Sequence, residues 1–476
     1  MLRRYLDTLI LVLCGYSATA QQFIGNSLST YTAIHNVPYN PAWVANAETE
    51  GAAAHLFSIS ALAGTNAFKF NKKWLLGGTP GKGVEKQDYV KDLNLGRKYM
   101  WGNVDVLGPA AYFNLKNKYG IKQHNIGIYT RYREIIRGGN IESSELKLIG
   151  DADNKLFNNQ LFHYKNAGFT FQSFAEIGFT YGQVLRNDEF SILKAGATIK
   201  YIMGFSAGTL YLKNLTYDQR SSDSIRSIQG NFTTAYTYNV NPYLDNSFGN
   251  DISAWFNRAG KGSLGLDIGV QYEYHPYGSI NEKTSYLFSV AASITDIGAV
   301  AYVADTGSGS YTASISDQKM SSLNRLPYED VGFYFVRLTK DTFLTRTSEL
   351  RKFHVGLPTA FRLNGDYNLT DEFNVAVNIM LNLKGSNSTV YNPGYVSYFN
   401  ISPSYGNNKF RVGLPFTYMG YKTTMLGTTV RCGPLYVGSA SFISSILMPR
   451  FQIRNLDFYA GLSMTIPHKL PNYYTY

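Results

Sequence analysis

A set of charged side chains recurs at alternate positions within short stretches that are otherwise small or apolar. Arg131 and Arg133, Glu176, Lys194 and Lys200, Asp267 and Glu273, and Arg362 and Asp366 all sit this way. Charge that keeps the same parity as Gly and Thr, opposite an apolar parity, suits the wet lumen of a β-barrel better than a packed core. Catalytic and metal patterns are missing. His35, His55, His124, His163, His275, His354 and His468 are far apart, with no HExxH and no Cys/His cluster. GxSxG occurs once, at Gly204-Phe205-Ser206-Ala207-Gly208, but without the strand–turn–helix setting that a nucleophile elbow needs. The glycine run Gly77 to Gly83 lacks the GK[ST] ending that a phosphate loop needs. Asp267 and the pair Thr295-Asp296 place acids beside glycines, which fits lumen-lining or turn roles. The expectation is a protein without enzymatic activity, with no cofactor and no metal.

The elements that would position these groups are strands. Phe361 to Leu383 reads as a hairpin. Phe361, Leu363, Tyr367 and Leu369 share one parity of the first arm. Phe373, Val375, Val377, Ile379, Leu381 and Leu383 share one face of the second. Each arm has the roughly nine to eleven residues that a tilted strand needs to cross a bilayer. The same alternation recurs in His55 to Ala63, Gly108 to Lys116, Asn125 to Arg133, Ala175 to Gly182, Leu193 to Tyr201, Leu264 to Tyr274 and Ser285 to Ile297. Towards the C-terminus it returns near Tyr395 to Ile401, Phe410 to Tyr418, Thr423 to Cys432, Leu435 to Phe442 and Tyr459 to Ile466. The fold class this predicts is all-β: a transmembrane antiparallel β-barrel of about 14 strands, uncertain by about two.

Composition agrees. Aromatics make up 15% of the chain, with 38 Tyr, 29 Phe and 44 Gly, and charged residues only 16%. The mean hydropathy is slightly negative. Outside the leader there is no apolar run long enough for a helical span. Arg3-Arg4, an apolar core and Ala18-Thr19-Ala20 read as a signal peptide, residues 1–20, cleaved after Ala20. Cys432 would then be the one cysteine of the mature chain, which excludes an intramolecular disulfide. The net charge of +11 is scattered. With export, it points to lipid head groups or acidic envelope partners and not to nucleic acid.

Residues 21–50 contain Val37-Pro38-Tyr39-Asn40-Pro41-Ala42-Trp43, whose prolines cannot donate to a ladder. They read as an irregular plug-like segment in the lumen, with Asn40, Pro41 and Ala42 as a turn that seats it. Residues 51–467 are the expected barrel, with long polar extracellular loops near 68–100, 214–262 and 306–350, followed by a tail at 468–476.

Several stretches resemble a known group of proteins: Asn40-Pro41-Ala42, GATIKY at 196–201, LGLDIGVQY at 264–272, SITDIG at 293–298 and LGTTVRCGPLYVGS at 426–439. They are similar to Bacteroidota outer-membrane barrels related to FadL-like transporters and to the PorV and PorP/SprF proteins of type IX secretion, closest to a branch of unknown function. The resemblance implies an outer-membrane location in a Gram-negative bacterium and an N-terminal segment inside a fourteen-stranded barrel. It implies two roles. One is an accessory or scaffold subunit of an envelope export or assembly machine, with other envelope proteins as partners. The alternative is a FadL-like channel whose partner is a small hydrophobic molecule. Outer-membrane lipids surround the barrel in either case.

Overall fold

Strict alternation with small residues on one parity produces strands that continue well past the bilayer. The computed structural model describes residues 33–45, 53–71, 89–94, 96–116, 122–143, 145, 160–221, 223–240, 259–276, 286–326, 329–384, 392–407, 409–447 and 453–465. The chain opens with a short helix, Ala33–Asn36, and a 3-10 turn, Pro41–Ala45. Strands follow as β1 (Ala53–Thr65), a small hairpin of β2 (Phe68–Phe70) and β3 (Tyr89–Lys91), then β4 (Arg97–Lys116), β5 (Lys122–Glu142), β6 (Gln160–Asn187) and β7 (Ser191–Gln219). After β8 (Ser224–Tyr236) come β9 (Ser263–Tyr274), β10 (Phe288–Val303), β11 (Gly309–Lys319), β12 (Leu344–Glu349), β13 (Lys352–Gly356), β14 (Ala360–Asn368) and β15 (Phe373–Asn382). The last strands are β16 (Tyr398–Gly406), β17 (Phe410–Gly413), β18 (Phe416–Met419), β19 (Thr423–Leu426), β20 (Thr428–Cys432), β21 (Leu435–Ser439) and β22 (Asn455–Thr465).

Around the wall the order is β1, β4, β5, β6, β7, β9, β10, β14, β15, β16, then β17 with β18, then β20 with β19, then β21 and β22. β22 pairs back onto β1, from Ala53↔Thr465 to Gly64↔Asn455. This closes a 14-strand antiparallel barrel, whose strands are paired around the ring except beyond Ser439 of β21. On β9, Leu264, Leu266, Ile268, Val270 and Tyr272 are exposed while Asp267, Gln271 and Glu273 are buried. The apolar face is therefore the outside, as lipid requires. Among the described residues, no helix is long and apolar enough to cross a membrane.

Two of the sequence-predicted strands are each split. Phe410 to Tyr418 breaks at Leu414-Pro415, and Thr423 to Cys432 breaks at Gly427, whose N–H reaches the Pro415 carbonyl. Pro415 removes a ladder donor, so both neighbouring strands step there. The regions near 68–100, 214–262 and 306–350 hold further strands. Among their described residues they carry β2, β3, the first residues of β4, the end of β7, β8, β11 and β12. The long β6–β7 ribbon rises out of the wall, and β8, β11 and β12 extend it as a lobe. Away from lipid this sheet has no continuous apolar face, so its Ser- and Thr-rich strands read as loop. The leader, residues 1–20, and the tail, 468–476, lie outside the described residues.

The lobe has its own core of Ile225, Tyr311, Ala313, Ile315, Leu323, Leu338 and Leu344. A helix, Val331–Lys340, covers it. Asp330 caps its start by accepting from the Gly332 N–H at 2.7 Å. Arg337 ties the helix down through Glu329 at 2.9 Å and the carbonyls of Asn324 at 2.8 Å and Ser322 at 3.2 Å. Arg337→Ala should release this helix, costing about 1–3 kcal/mol of local stability. Limited proteolysis should then cut near Lys340 at protease levels that leave the parent chain intact. Equal cutting in both would contradict the assignment.

Candidate functional site: a sealed lumen beside a gap in the wall

Residues 33–45 pack inside the barrel against β1, β4, β5, β6, β7 and β9. Tyr39 and Asn40 both donate their N–H to the Asn36 carbonyl at 2.9 Å, closing a tight turn. Asn40 then caps the Pro41–Ala45 turn, its Oδ1 accepting from the Ala42 N–H at 3.0 Å. Pro41 fits the first position of that turn because it has no N–H to satisfy. The Asn40 amide donates to the carbonyls of Val270 at 3.2 Å and Ala292 at 3.3 Å. Ser293 Oγ donates to the Tyr39 carbonyl at 2.7 Å.

The segment rests on a track of glycines. Gly182 pairs with Gly196 and Gly196 with Gly269, so the three form one row across β6, β7 and β9. Pro41 lies over Gly196 and Gly269, and Val44 over Gly182 and Gly127. A side chain at these positions would occupy the space of the segment's own atoms. Sequence reading placed the glycines on the inner parity but did not see that they align, because register between strands is invisible in one dimension.

Next to the plug is a layer of buried charge. Arg131 Nε donates to Asp105 Oδ1 at 2.7 Å, and its Nη2 also contacts Asp105. Arg133 holds Asp296 at 2.7 and 2.9 Å, Glu176 at 2.5 Å and the Tyr395 hydroxyl at 3.0 Å. Lys200 bridges Asp267 at 2.7 Å and Asp296 at 2.6 Å. Arg362 Nε donates to Thr295 Oγ1 at 3.2 Å. Arg131 and Arg362 both face the Tyr39 ring, at 5.1 and 5.4 Å, so the plug is clamped by cations. Asp296 adopts φ +62°, which Asp tolerates, and so turns its carboxylate into this layer. The cations Arg131, Arg133, Lys200 and Arg362 balance the acids Asp105, Glu176, Asp267 and Asp296.

The remaining sequence-picked residues lie apart from this layer. Lys194 donates to Glu273 at 2.6 Å. Asp366 accepts from the Tyr286 hydroxyl at 2.6 Å and from Asn374 at 2.9 Å. Sequence reading missed Asp105, whose stretch ahead of Gly108 was not assigned to a strand. Beyond the charged layer the lumen is filled by Leu62, Phe174, Val300, Phe353, Leu357, Met380, Met419 and Met425, among others.

The wall itself is interrupted. β21 stops at Ser439, five residues after it starts. Asp457 captures the chain there, accepting from the Ala440 N–H at 2.6 Å, Ser441 Oγ at 2.5 Å and Ser439 Oγ at 3.1 Å. The chain then turns into a short helix, Phe442–Leu447. Beyond Ser439, β19 on one side and the start of β22 on the other have no strand between them among the described residues. A cavity of about 250 Å³ occupies the gap. Its lining comes from β19 (Thr423, Thr424, Met425), the helix (Ser444, Ser445) and the start of β22 (Arg454, Asn455), with Lys69 and Lys422 at the rim. Trp101, stacked on Tyr421 at 5.1 Å, stands beside Asn455 across Gly64.

A closed antiparallel barrel with an apolar outer face defines the class: a transmembrane β-barrel. A model of a family of unknown function, DUF5723, matches residues 41–440, and the chain belongs to that family. No curated protein matches it in sequence. Among solved structures, the toluene transporter TbuX of Ralstonia pickettii is similar at 9% identity and TM-score 0.39, over 94% of this chain and 95% of that one. The translocator domain of the autotransporter NalP from Neisseria meningitidis is similar at 9% identity and TM-score 0.30, over 87% and 88%. A FadL homologue of Pseudomonas aeruginosa is similar at 9% identity and TM-score 0.22, over 94% and 96%. These likenesses assign no substrate.

Proposed function

We propose that this protein is an outer-membrane channel for small hydrophobic molecules, which cross between the exterior and the membrane through the gap between β19 and β22. The observation that carries this is the pairing of a blocked axis with an interrupted wall. Plug, charge layer and apolar side chains occupy the lumen among the described residues, while the lateral gap is backed by a cavity. A buried ion layer is a poor path for an apolar solute, because such a solute cannot replace its hydrogen bonds. A side exit avoids that layer. The turns at 188–190, 369–372 and 433–434 lie at the end of the barrel that holds Ala53 and Thr465, and the lobe lies at the other. Short turns suit the periplasm and long excursions the exterior, which orients the gap towards the outside. The work done is binding and passage, without catalysis.

The test is to fill the gap. Ser445→Trp places an indole in the cavity and should cut uptake of an uncharged hydrophobic dye into proteoliposomes roughly tenfold, since the pocket is only modest in size. Heat-modifiable migration in gels should stay unchanged, which shows that the barrel still forms. Undiminished uptake would sink the lateral route.

One observation favours a second reading, an accessory subunit that docks envelope proteins. The lobe exposes Leu326 at 53%, Phe333 at 72% and Val336 at 38%. Large apolar groups together on a surface away from lipid suggest a contact face. Gentle detergent purification from native membranes separates the two readings. A stoichiometric partner that is lost with Phe333→Ser would favour docking, and a lone barrel carrying small hydrophobic molecules would favour passage.

A further inference from the structure

The chemistry of the gap is more specific than passage requires. We propose that it binds the phosphorylated head group of a membrane amphiphile, a deepening that rests on the lateral-gap reading. Met425 and Ile453 are the apolar part of the lining, and the rest is Lys, Arg, Ser, Thr and Asn, which the passage of an apolar solute does not use.

Charge comes first. Lys69 and Lys98 each lie 3.6 Å from Asp92, and Arg454 contacts the same carboxylate. Lys422 adds a further cation at the rim, and the cavity lining contains no acid. With Asp457, which binds Ser441 of the lining, four cations stand against two carboxylates, an excess that a phosphomonoester dianion balances. Unsatisfied hydrogen bonding comes second. Asn455 is 4% exposed, and both its amide atoms lack a partner within the protein. Trp101 Nε1 and Thr423 Oγ1 are buried in the same condition. Buried polar atoms of this kind are costly unless something satisfies them. The Asn455 Nδ2 and the Thr423 hydroxyl, both in the cavity lining, can donate to the oxygens of a phosphate and its ester. Position comes third. Phe442, Ile446 and Leu447 of the helix at the gap are exposed on the lipid side, where the tails of a bound amphiphile would lie.

The probe is dioleoyl phosphatidic acid added to the purified full-length protein, read by native mass spectrometry and by a binding titration. A one-to-one adduct is expected. It should weaken about tenfold in Lys422→Gln and further in Lys422→Gln with Asn455→Leu, because charge-assisted bonds are being removed. Lys422 is exposed at the rim and its replacement leaves the wall intact, so a folding failure cannot mimic this result. Equal binding of phosphatidylcholine or palmitate, or unchanged binding by Lys422→Gln, would overturn the proposal. Inorganic phosphate binding as tightly as phosphatidic acid would overturn the amphiphile part and leave a free-phosphate site. Dye uptake measured on the same Lys422→Gln protein separates the two readings. Uptake retained without lipid selectivity removes this inference alone, whereas loss of uptake in Ser445→Trp bears on the route.

Discussion

Arg133→Ala should destabilise the barrel by about 3–5 kcal/mol, the cost of removing one partner from a buried ion network. Arg133 is 1% exposed and satisfies Glu176, Asp296 and the Tyr395 hydroxyl at once. Truncation leaves two carboxylates facing Arg131 and Lys200 alone and removes four buried hydrogen bonds. Urea unfolding in detergent, followed by the fluorescence of the four Trp, should show the midpoint falling. The control is Arg186→Ala. Arg186 pairs with Asp188 in a turn, with side chains 70% and 41% exposed, and its loss should move stability by no more than about 0.5 kcal/mol. A triple change, Arg133→Met with Glu176→Gln and Asp296→Asn, removes charge from both sides and should recover much of the loss. If Arg133→Ala behaves like Arg186→Ala, the layer is wet and does not hold the lumen shut.

Much of this arrangement could be read from the chain, and the parts that could not share a physical reason. Period-2 alternation is local, so LGLDIGVQYEY shows both which strand it forms and which side chains turn inward. Arg131, Arg133, Glu176, Lys200 and Asp267 were accordingly found one strand at a time. What brings them together is register, which depends on pairing between distant segments. Gly182, Gly196 and Gly269 align for the same reason, and the alignment appears only when the ladder is known. The gap in the wall was hidden differently. Leu435 to Phe442 reads as one continuous strand, yet the chain leaves the sheet at Ser439 because Asp457 binds the backbone and hydroxyls of residues 439–441. That capture spans 16 to 18 residues and opposes the local pattern. The lobe escaped notice because its buried faces are short, Tyr311, Ala313 and Ile315 on β11, set among Ser and Thr.

Gly196→Val should lift the N-terminal segment from its seat. A Cβ at Gly196 would fall 2.5 Å from the carbonyl carbon and oxygen of Pro41 and 2.7 Å from the Ala42 nitrogen. These are backbone atoms of a turn already fixed by Asn36 and Asn40, so no side-chain rotation relieves the clash. The wall cannot retreat either, since Gly196 is paired on both sides with Gly182 and Gly269. The segment must move, and movement breaks the Asn40 bonds to Val270 and Ala292 and removes Tyr39 from between Arg131 and Arg362. Overpacking of about 1–3 kcal/mol would raise the displaced population by roughly tenfold to a hundredfold. The readout is thiol labelling at Val44→Cys, a position that is fully buried in the parent, with Cys432→Ser to remove the exposed native thiol. Labelling should accelerate by that factor in Gly196→Val and remain slow in Gly365→Ala, where an added Cβ meets nothing within 4 Å. Because the bonds of Arg133 to Glu176 and Asp296 do not involve the segment, ion conductance should stay low in Gly196→Val alone and rise only when Arg133→Ala is added. Equal labelling in the two glycine variants would mean that the segment is not held by the glycine track.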